Sequence, residues 1–176
     1  KVTAFEQELA RYMGAKYALA VTSGTAALHV ALTALAAGPG DEVILPAWGW
    51  YSCYNAIVMT GALPVFAETD ESLNIDPEDV ERKITPRTKA VMVLHLAGCT
   101  ADMDRIMAAA RKNRIRVLED AAQSVGAAYK GKRVAAIGEI GIFSFQISKT
   151  ITAGEGGAVL TSDPLLFERA TRFHDL

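Results

Sequence analysis

Short apolar runs of strand length alternate with helix-period segments along the whole chain, which predicts an α/β fold with three αβα layers around a mostly parallel mixed sheet. Two further observations point the same way. Residues 89–95, Lys-Ala-Val-Met-Val-Leu-His, are apolar enough to form a central strand covered on both faces. At Ser23-Gly24-Thr25 an apolar run passes at once into small and hydroxylated residues that open a helical pattern, the handover expected of a strand-to-helix crossover.

The elements follow in order. Residues 3–13 place Phe5, Leu9, Tyr12 and Met13 at helical spacing, behind Thr3 as expected N-cap with Glu6 at the capping-box position. Gly14 stops that helix, residues 17–22 read as a strand, and residues 26–35 as a nearly all-apolar helix closed by the Gly38-Pro-Gly40 turn. Residues 42–46 read as the next strand, residues 47–57 turn into a helix, and residues 63–66 form a third strand. Asp76-Pro77 opens a short helix ending near Ile84, residues 102–113 an amphipathic one, and residues 115–119 the strand after it. Residues 140–145 and 158–161 are the last strands, and Asp163-Pro164 starts a helix that is expected to run to Leu176. Gly126-Ala-Ala-Tyr-Lys-Gly-Lys-Arg133 matches the G-x-x-x-x-G-K pattern, but Arg133 stands where Ser or Thr would hold Mg²⁺ and no helix follows, so a surface hairpin is expected.

Composition narrows the function classes. With 51% hydrophobic and 22% charged residues, the 176-residue chain can bury a real core, as one globular domain or part of a larger one. The 18 basic and 20 acidic residues are scattered, giving a net charge of −2 and arguing against nucleic acid or anionic membrane as partner. Cys53 and Cys99 lack C-x-x-C spacing and read as reduced packing thiols. No stretch has the length of a membrane span and the first residues lack the apolar core of a signal peptide, so a cytoplasmic location is the expectation. His29, inside an apolar helix with no second metal-type residue at a useful spacing, reads as a core or flank histidine; no metal site is expected.

Four places carry chemistry. Ser23, Gly24 and Thr25 sit where unsatisfied amides and the positive end of a helix dipole converge, a natural phosphate site, although ordinary N-capping explains the same residues. Trp48, Trp50, Tyr51 and Tyr54 crowd the end of a strand, suited either to stacking on a flat heteroaromatic ring or to filling a core or subunit interface. Asp120 ends a strand, where its carboxylate can pair with a cationic ring nitrogen while Gln123 reaches a neighbouring oxygen; a helix N-cap is the competing role. Lys149 lies between Ile147 and Ile151 and beside Gly154, Gly156 and Gly157, and its amine can form a Schiff base with a carbonyl.

Taken together, Thr22-Ser-Gly-Thr-Ala-Ala-Leu28, Pro46-Ala-Trp-Gly-Trp50, Glu119-Asp-Ala-Ala-Gln-Ser124 and Phe143-Ser-Phe-Gln-Ile-Ser-Lys149 with Gly154-Glu-Gly-Gly157 resemble, in order and spacing, the DegT/DnrJ/StrS-type sugar aminotransferases of the fold type I pyridoxal 5'-phosphate (PLP) enzymes. The resemblance implies that Lys149 carries the cofactor, that Asp120 pairs with its ring nitrogen and that Gln123 meets its phenolic oxygen. It further implies phosphate contacts at Gly24, Thr25 and Ser144 and a stacking role for Trp50, and none for Trp48. Residues 1–176 then correspond to the PLP-binding large domain, without the family's C-terminal small domain, and a homodimer is implied. The implied reaction moves an amino group from glutamate or glutamine to a keto sugar, free or nucleotide-linked, or to a keto cyclitol. The form of residues 145–157 is more similar to the branch acting on cyclitols and aminohydroxybenzoate precursors. Two rivals share the fold: a PLP-dependent sugar dehydratase, which has histidine at the position of Lys149, and a non-catalytic regulatory protein.

Overall fold

The computed structural model describes residues 1–175. Among the described residues nine strands and six α-helices follow one another: α1 Val2–Met13, β1 Tyr17–Val21, α2 Gly24–Ala34, β2 Glu42–Pro46, α3 Tyr51–Met59, β3 Leu63–Ala67, α4 Pro77–Lys83, β4 Thr88–Leu94, α5 Met103–Asn113, β5 Arg116–Asp120, β6 Ala128–Tyr129, β7 Lys132–Arg133, β8 Ile140–Ser144, β9 Gly157–Thr161 and α6 Pro164–His174. Seven strands form one sheet in the order β1-β9-β8-β5-β4-β2-β3. From β8 to β3 every pairing is parallel, while β9 runs antiparallel to both β8 and β1. The sheet is therefore mostly parallel and mixed, as predicted.

The period of two along each strand decides which layer each side chain joins. In β4, Ala90 and Met92 pack with Leu28, Leu32 and Ile57 of α2 and α3, together with Leu166 of α6. Val91 and Val93 turn the other way, onto Met103, Ile106 and Ala110 of α5 and Val80 of α4. Ala10 and Met13 of α1 join that second layer against Phe143, Leu160 and Val134. Both faces are thus covered, which is why the central strands are apolar without alternation.

Local signals set most element ends. Gly14 adopts the left-handed conformation (φ 76°) that closes α1, and Asp76, Asp102 and Asp163 cap α4, α5 and α6 with side-chain oxygens. Three expectations change. Thr3 does not cap α1: the helix starts at Val2 after Lys1, and Glu6 Oε1 instead accepts from Ala20 N at 2.8 Å, tying α1 to β1. Cys99 is exposed rather than packed, whereas Cys53 is buried. The last helix ends at His174, and Leu176 lies outside the described residues. Residues 126–133 form the expected hairpin, β6 against β7, and it packs on the start of α5, where Tyr129 OH donates to Asp102 Oδ1 at 2.9 Å. His29 is half-buried on the flank of α2, its ring edge-to-face with Phe173 at 5.0 Å.

Candidate active site

In a parallel sheet the loops that can converge on a ligand lie beyond the carboxyl ends of the strands. Here the ends of β5 and β8, the start of α2 and the start of α3 surround one pocket of about 360 Å³. Gly24, Thr25, Trp50, Asp120, Gln123, Ser144 and Lys149 all line it. Its volume is in the range that holds a small cofactor.

The phosphate-like corner is built by close packing. Ser23 is extended and caps α2, its Oγ accepting from Ala26 N at 3.0 Å. Capping consumes that amide but leaves the Gly24 and Thr25 N–H groups, which open the helix and have no partner within it. A Cβ on Gly24 would come within 2.7 Å of Ser144 Cβ, so glycine is what lets the first turn of α2 seat on the end of β8 beside the Ser144 hydroxyl. Thr25 Oγ1 donates to Ser52 Oγ at 2.9 Å, bringing α3 into the same corner. Amides, hydroxyls and the helix dipole there make a fit for a dianionic phosphate.

Asp120 forms the floor at only 2% exposure. Its Oδ1 accepts from Ala122 N at 2.9 Å and its Oδ2 from Cys53 Sγ at 3.3 Å. No helix begins after it: residues 121–127 form turns, with Ser124 N bonded to Ala121 O, so the helix-cap role has no helix to cap. Burial pushes the carboxyl above the usual carboxylate range, while Ala122 N–H, the Cys53 thiol and the Lys149 charge pull the other way. A cationic ring nitrogen entering the pocket would supply the counter-charge that this buried acid lacks.

Lys149 sits in the loop between β8 and β9, its amide bonded to Gln146 O at 2.9 Å. The loop folds back on itself through Phe145, whose carbonyl accepts from Ala153 N at 2.9 Å and Thr152 Oγ1 at 3.1 Å. Gly156 needs its positive φ of 146° to complete the turn, and a Cβ on Gly157 would overlap the Ser23 carbonyl. The apolar neighbours do not shelter the amine, since Ile147 and Ile151 are 71% and 53% exposed. What distinguishes Lys149 is its aim: half-buried, with Nζ 5.7 Å from the centre of the Trp50 ring across the pocket. Trp50 is exposed on its outer side and tilts against Tyr51 at 5.0 Å.

Gln123 Oε1 accepts from Ala97 N at 3.0 Å, which leaves the amide Nε2–H groups as the side chain's free donors. Ser52, Ser148, Gln146 and Glu155 also line the pocket and were not singled out from sequence. Ser52 was findable, since α3 begins at the aromatic cluster and its first turn must face the same way as Trp50. The donor set therefore fits PLP: an amine, a buried acid with acceptor capacity open to the pocket, an aromatic face and a phosphate corner.

Residues 1–176 match the DegT/DnrJ/EryC1/StrS aminotransferase family throughout. A GDP-perosamine synthase of Caulobacter vibrioides is 45% identical over 163 residues, which cover 92% of this chain and 44% of that protein. An aminotransferase from Psychrobacter cryohalolentis superposes with a TM-score of 0.97 at 44% identity, over 99% of this chain and 45% of that one. A 3-amino-5-hydroxybenzoic acid synthase superposes with a TM-score of 0.94 at 44% identity, over 97% and 45%. The chain spans less than half the length of these relatives. It belongs to the DegT/DnrJ/EryC1/StrS aminotransferase family.

Proposed function

We propose that residues 1–176 are the PLP-binding large domain of an aminotransferase that moves an amino group from glutamate or glutamine to a keto sugar, free or nucleotide-linked, or to a keto cyclitol. The observation that carries this reading is that Lys149 and Asp120, 29 positions apart in sequence, are walls of one pocket with Trp50 and the α2 N-terminus completing it. When bound, PLP supplies an electron sink for the amino-bearing carbon. Asp120 holds the proton on the ring nitrogen, Trp50 backs the ring face, and the free amide N–H groups of Gln123 meet the phenolic oxygen. Gly24, Thr25 and Ser144 take the phosphate. Lys149 Nζ would hold the cofactor, and its amine would serve as the base that takes the proton from the donor's amino-bearing carbon and the acid that delivers one to the acceptor's carbonyl carbon.

A GDP-perosamine synthase and a 3-amino-5-hydroxybenzoic acid synthase among the relatives support both a nucleotide-linked sugar and a cyclitol-type ring as acceptor. The working form is a cytoplasmic homodimer in this reading, supported by the exposed apolar side chains Trp48, Tyr51, Tyr54 and Phe66 around α3 and β3. No helix among the described residues is long and apolar enough to cross a membrane. Lysine at position 149 disfavours the dehydratase reading, in which histidine stands there.

The test uses the full-length protein loaded with PLP. Borohydride reduction followed by peptide mass analysis is expected to place the label on Lys149, and glutamate is expected to bleach the bound cofactor. A label on Lys130, Lys132 or another lysine would sink the assignment, and a label on Lys149 without bleaching by either donor would leave the regulatory reading in its place.

A further inference from the structure

Asp120 is held by two donors from two separate elements. One is the backbone N–H of Ala122 in the turn after β5; the other is the thiol of Cys53 on α3, itself 3% exposed. Burial, and then the neighbouring Asp120 charge, push the thiol up. Cys53 therefore stays S–H at neutral pH, and toward a carboxylate an S–H can only donate. The same turn of α3 places the aromatic wall: Cys53 N donates to Trp50 O at 3.0 Å. Helix α3 thus fixes Trp50 and one oxygen of Asp120 together.

We propose that Cys53 is a positioning residue for Asp120: its S–H bond to Oδ2 favours the carboxylate form and turns the remaining lone pairs toward the pocket. The inference rests on the reading of Asp120 as the acid that meets the cofactor's ring nitrogen. A thiol is a weak donor, and its value here lies in being the side-chain partner of a carboxylate that is otherwise held by one amide. Lys149 and His95 are the charged or titratable groups that also act on Asp120, in the same direction as Cys53, and both remain when Cys53 is replaced.

The experiment is an infrared pH titration of the Asp120 carboxyl band in the full-length, cofactor-free protein, with the band assigned by its loss in Asp120→Asn. In Cys53→Ala the midpoint is expected to rise by about one pH unit, and in Cys53→Ser to return most of the way to wild type, because the hydroxyl restores a donor. PLP affinity, read by equilibrium titration, is expected to fall about tenfold in Cys53→Ala and to recover in Cys53→Ser. Cys53→Val fills the space without a donor and is expected to titrate like Cys53→Ala, which covers the case in which the smaller side chain fails to fold. A midpoint unchanged in both Cys53→Ala and Cys53→Val, with only a lowered melting temperature, would overturn the proposal and leave Cys53 as packing. An Asp120→Asn variant with an unchanged half-reaction rate would instead overturn the reading of Asp120 itself, so the two failures are distinguishable.

Discussion

Glu119 and Asp120 are neighbours on β5, both carboxylates, at 0% and 2% exposure, yet they face opposite sides of the sheet. Glu119 accepts from Ala135 N at 2.9 Å, Ile137 N at 2.7 Å, Gly138 N at 2.6 Å and His95 Nε2 at 3.0 Å. His95 can only donate there, because its Nδ1 accepts from Ala101 N at 3.3 Å and so leaves the proton on Nε2. All the acceptor capacity of Glu119 is met by protein, and what it does is pin residues 135–138 and the end of β4 to the strand. Asp120 has one amide and one thiol, and the rest of its capacity opens on the pocket. Burial marks both residues equally; acceptor capacity left open toward a cavity is what separates the proposed binding acid from the structural one.

The comparison can be broken at either residue, and Lys149→Ala sets the scale for a complete effect. In full-length protein that variant is expected to lose turnover below detection and lose covalent PLP, with melting temperature within a few degrees of wild type, because the side chain is half-exposed. Measurable turnover would remove the lysine from the mechanism. Glu119→Ala is next: it strands three backbone N–H groups and the His95 ring in a dry interior, for an expected loss of about 3–5 kcal/mol in urea unfolding. A loss under about 1 kcal/mol would mean that the network is not structural, and the contrast with Asp120 would fall.

Asp120→Asn is expected to do the reverse. The amide keeps an oxygen for Ala122 N, so stability changes by less than about 1 kcal/mol, but the charge proposed to meet the ring nitrogen is gone. Losing one buried charge-assisted bond is worth roughly 1.5–3 kcal/mol, so the half-reaction with glutamate is expected to slow by at least about tenfold. Stopped-flow absorbance beside thermal melts separates the two quantities. A variant as fast as wild type would place Asp120 with Glu119 as structure.

Much of this was legible from the chain, for physical reasons that also mark where legibility stops. Strand and helix alternation is a local pattern, so β2 emerges at residues 42–46 as read, and Asp76-Pro77 and Asp163-Pro164 open α4 and α6 as read. The seven residues expected at a site share one pocket because each stands at a strand end, at a helix start or in the loop that follows a strand end, and in a parallel sheet those ends meet. Tertiary contacts were not legible. The Thr3 and Glu6 pattern looks like a capping box, yet Glu6 finds a better partner in Ala20 N on β1. Cys53 read as packing because the 67 positions that separate it from Asp120 hide their contact. Glu119 read as one more strand residue for the same reason: its partners lie in a loop 16–19 positions ahead and in His95, 24 behind.

A third carboxylate gives the mildest test, because it is neither at the pocket nor locked in the core network. Asp79 on α4 is 5% exposed and accepts from Glu68 N at 2.7 Å, with Lys83 Nζ at 2.9 Å and Arg82 Nη2 at 3.0 Å beside it. The Glu68 amide first, and then the two cations, hold its carboxyl down at about 2 against an ordinary value of 3.8. Because the folded value lies below the unfolded one, the ionised group stabilises the fold fully above about pH 5, and that contribution fades as pH falls toward about 2. Asp79→Asn is therefore expected to lower stability by about 1–2 kcal/mol at neutral pH, with a gap from wild type that narrows steadily as the medium is acidified. Activity at neutral pH should not change, since Asp79 does not line the pocket. Urea midpoints of both proteins across about pH 2–7 make the check. A constant gap would show that Asp79 contributes through hydrogen bonds that survive its protonation. A loss of activity without a loss of stability would break the rule that open acceptor capacity toward the cavity, rather than burial or charge, is what marks a carboxylate of the site.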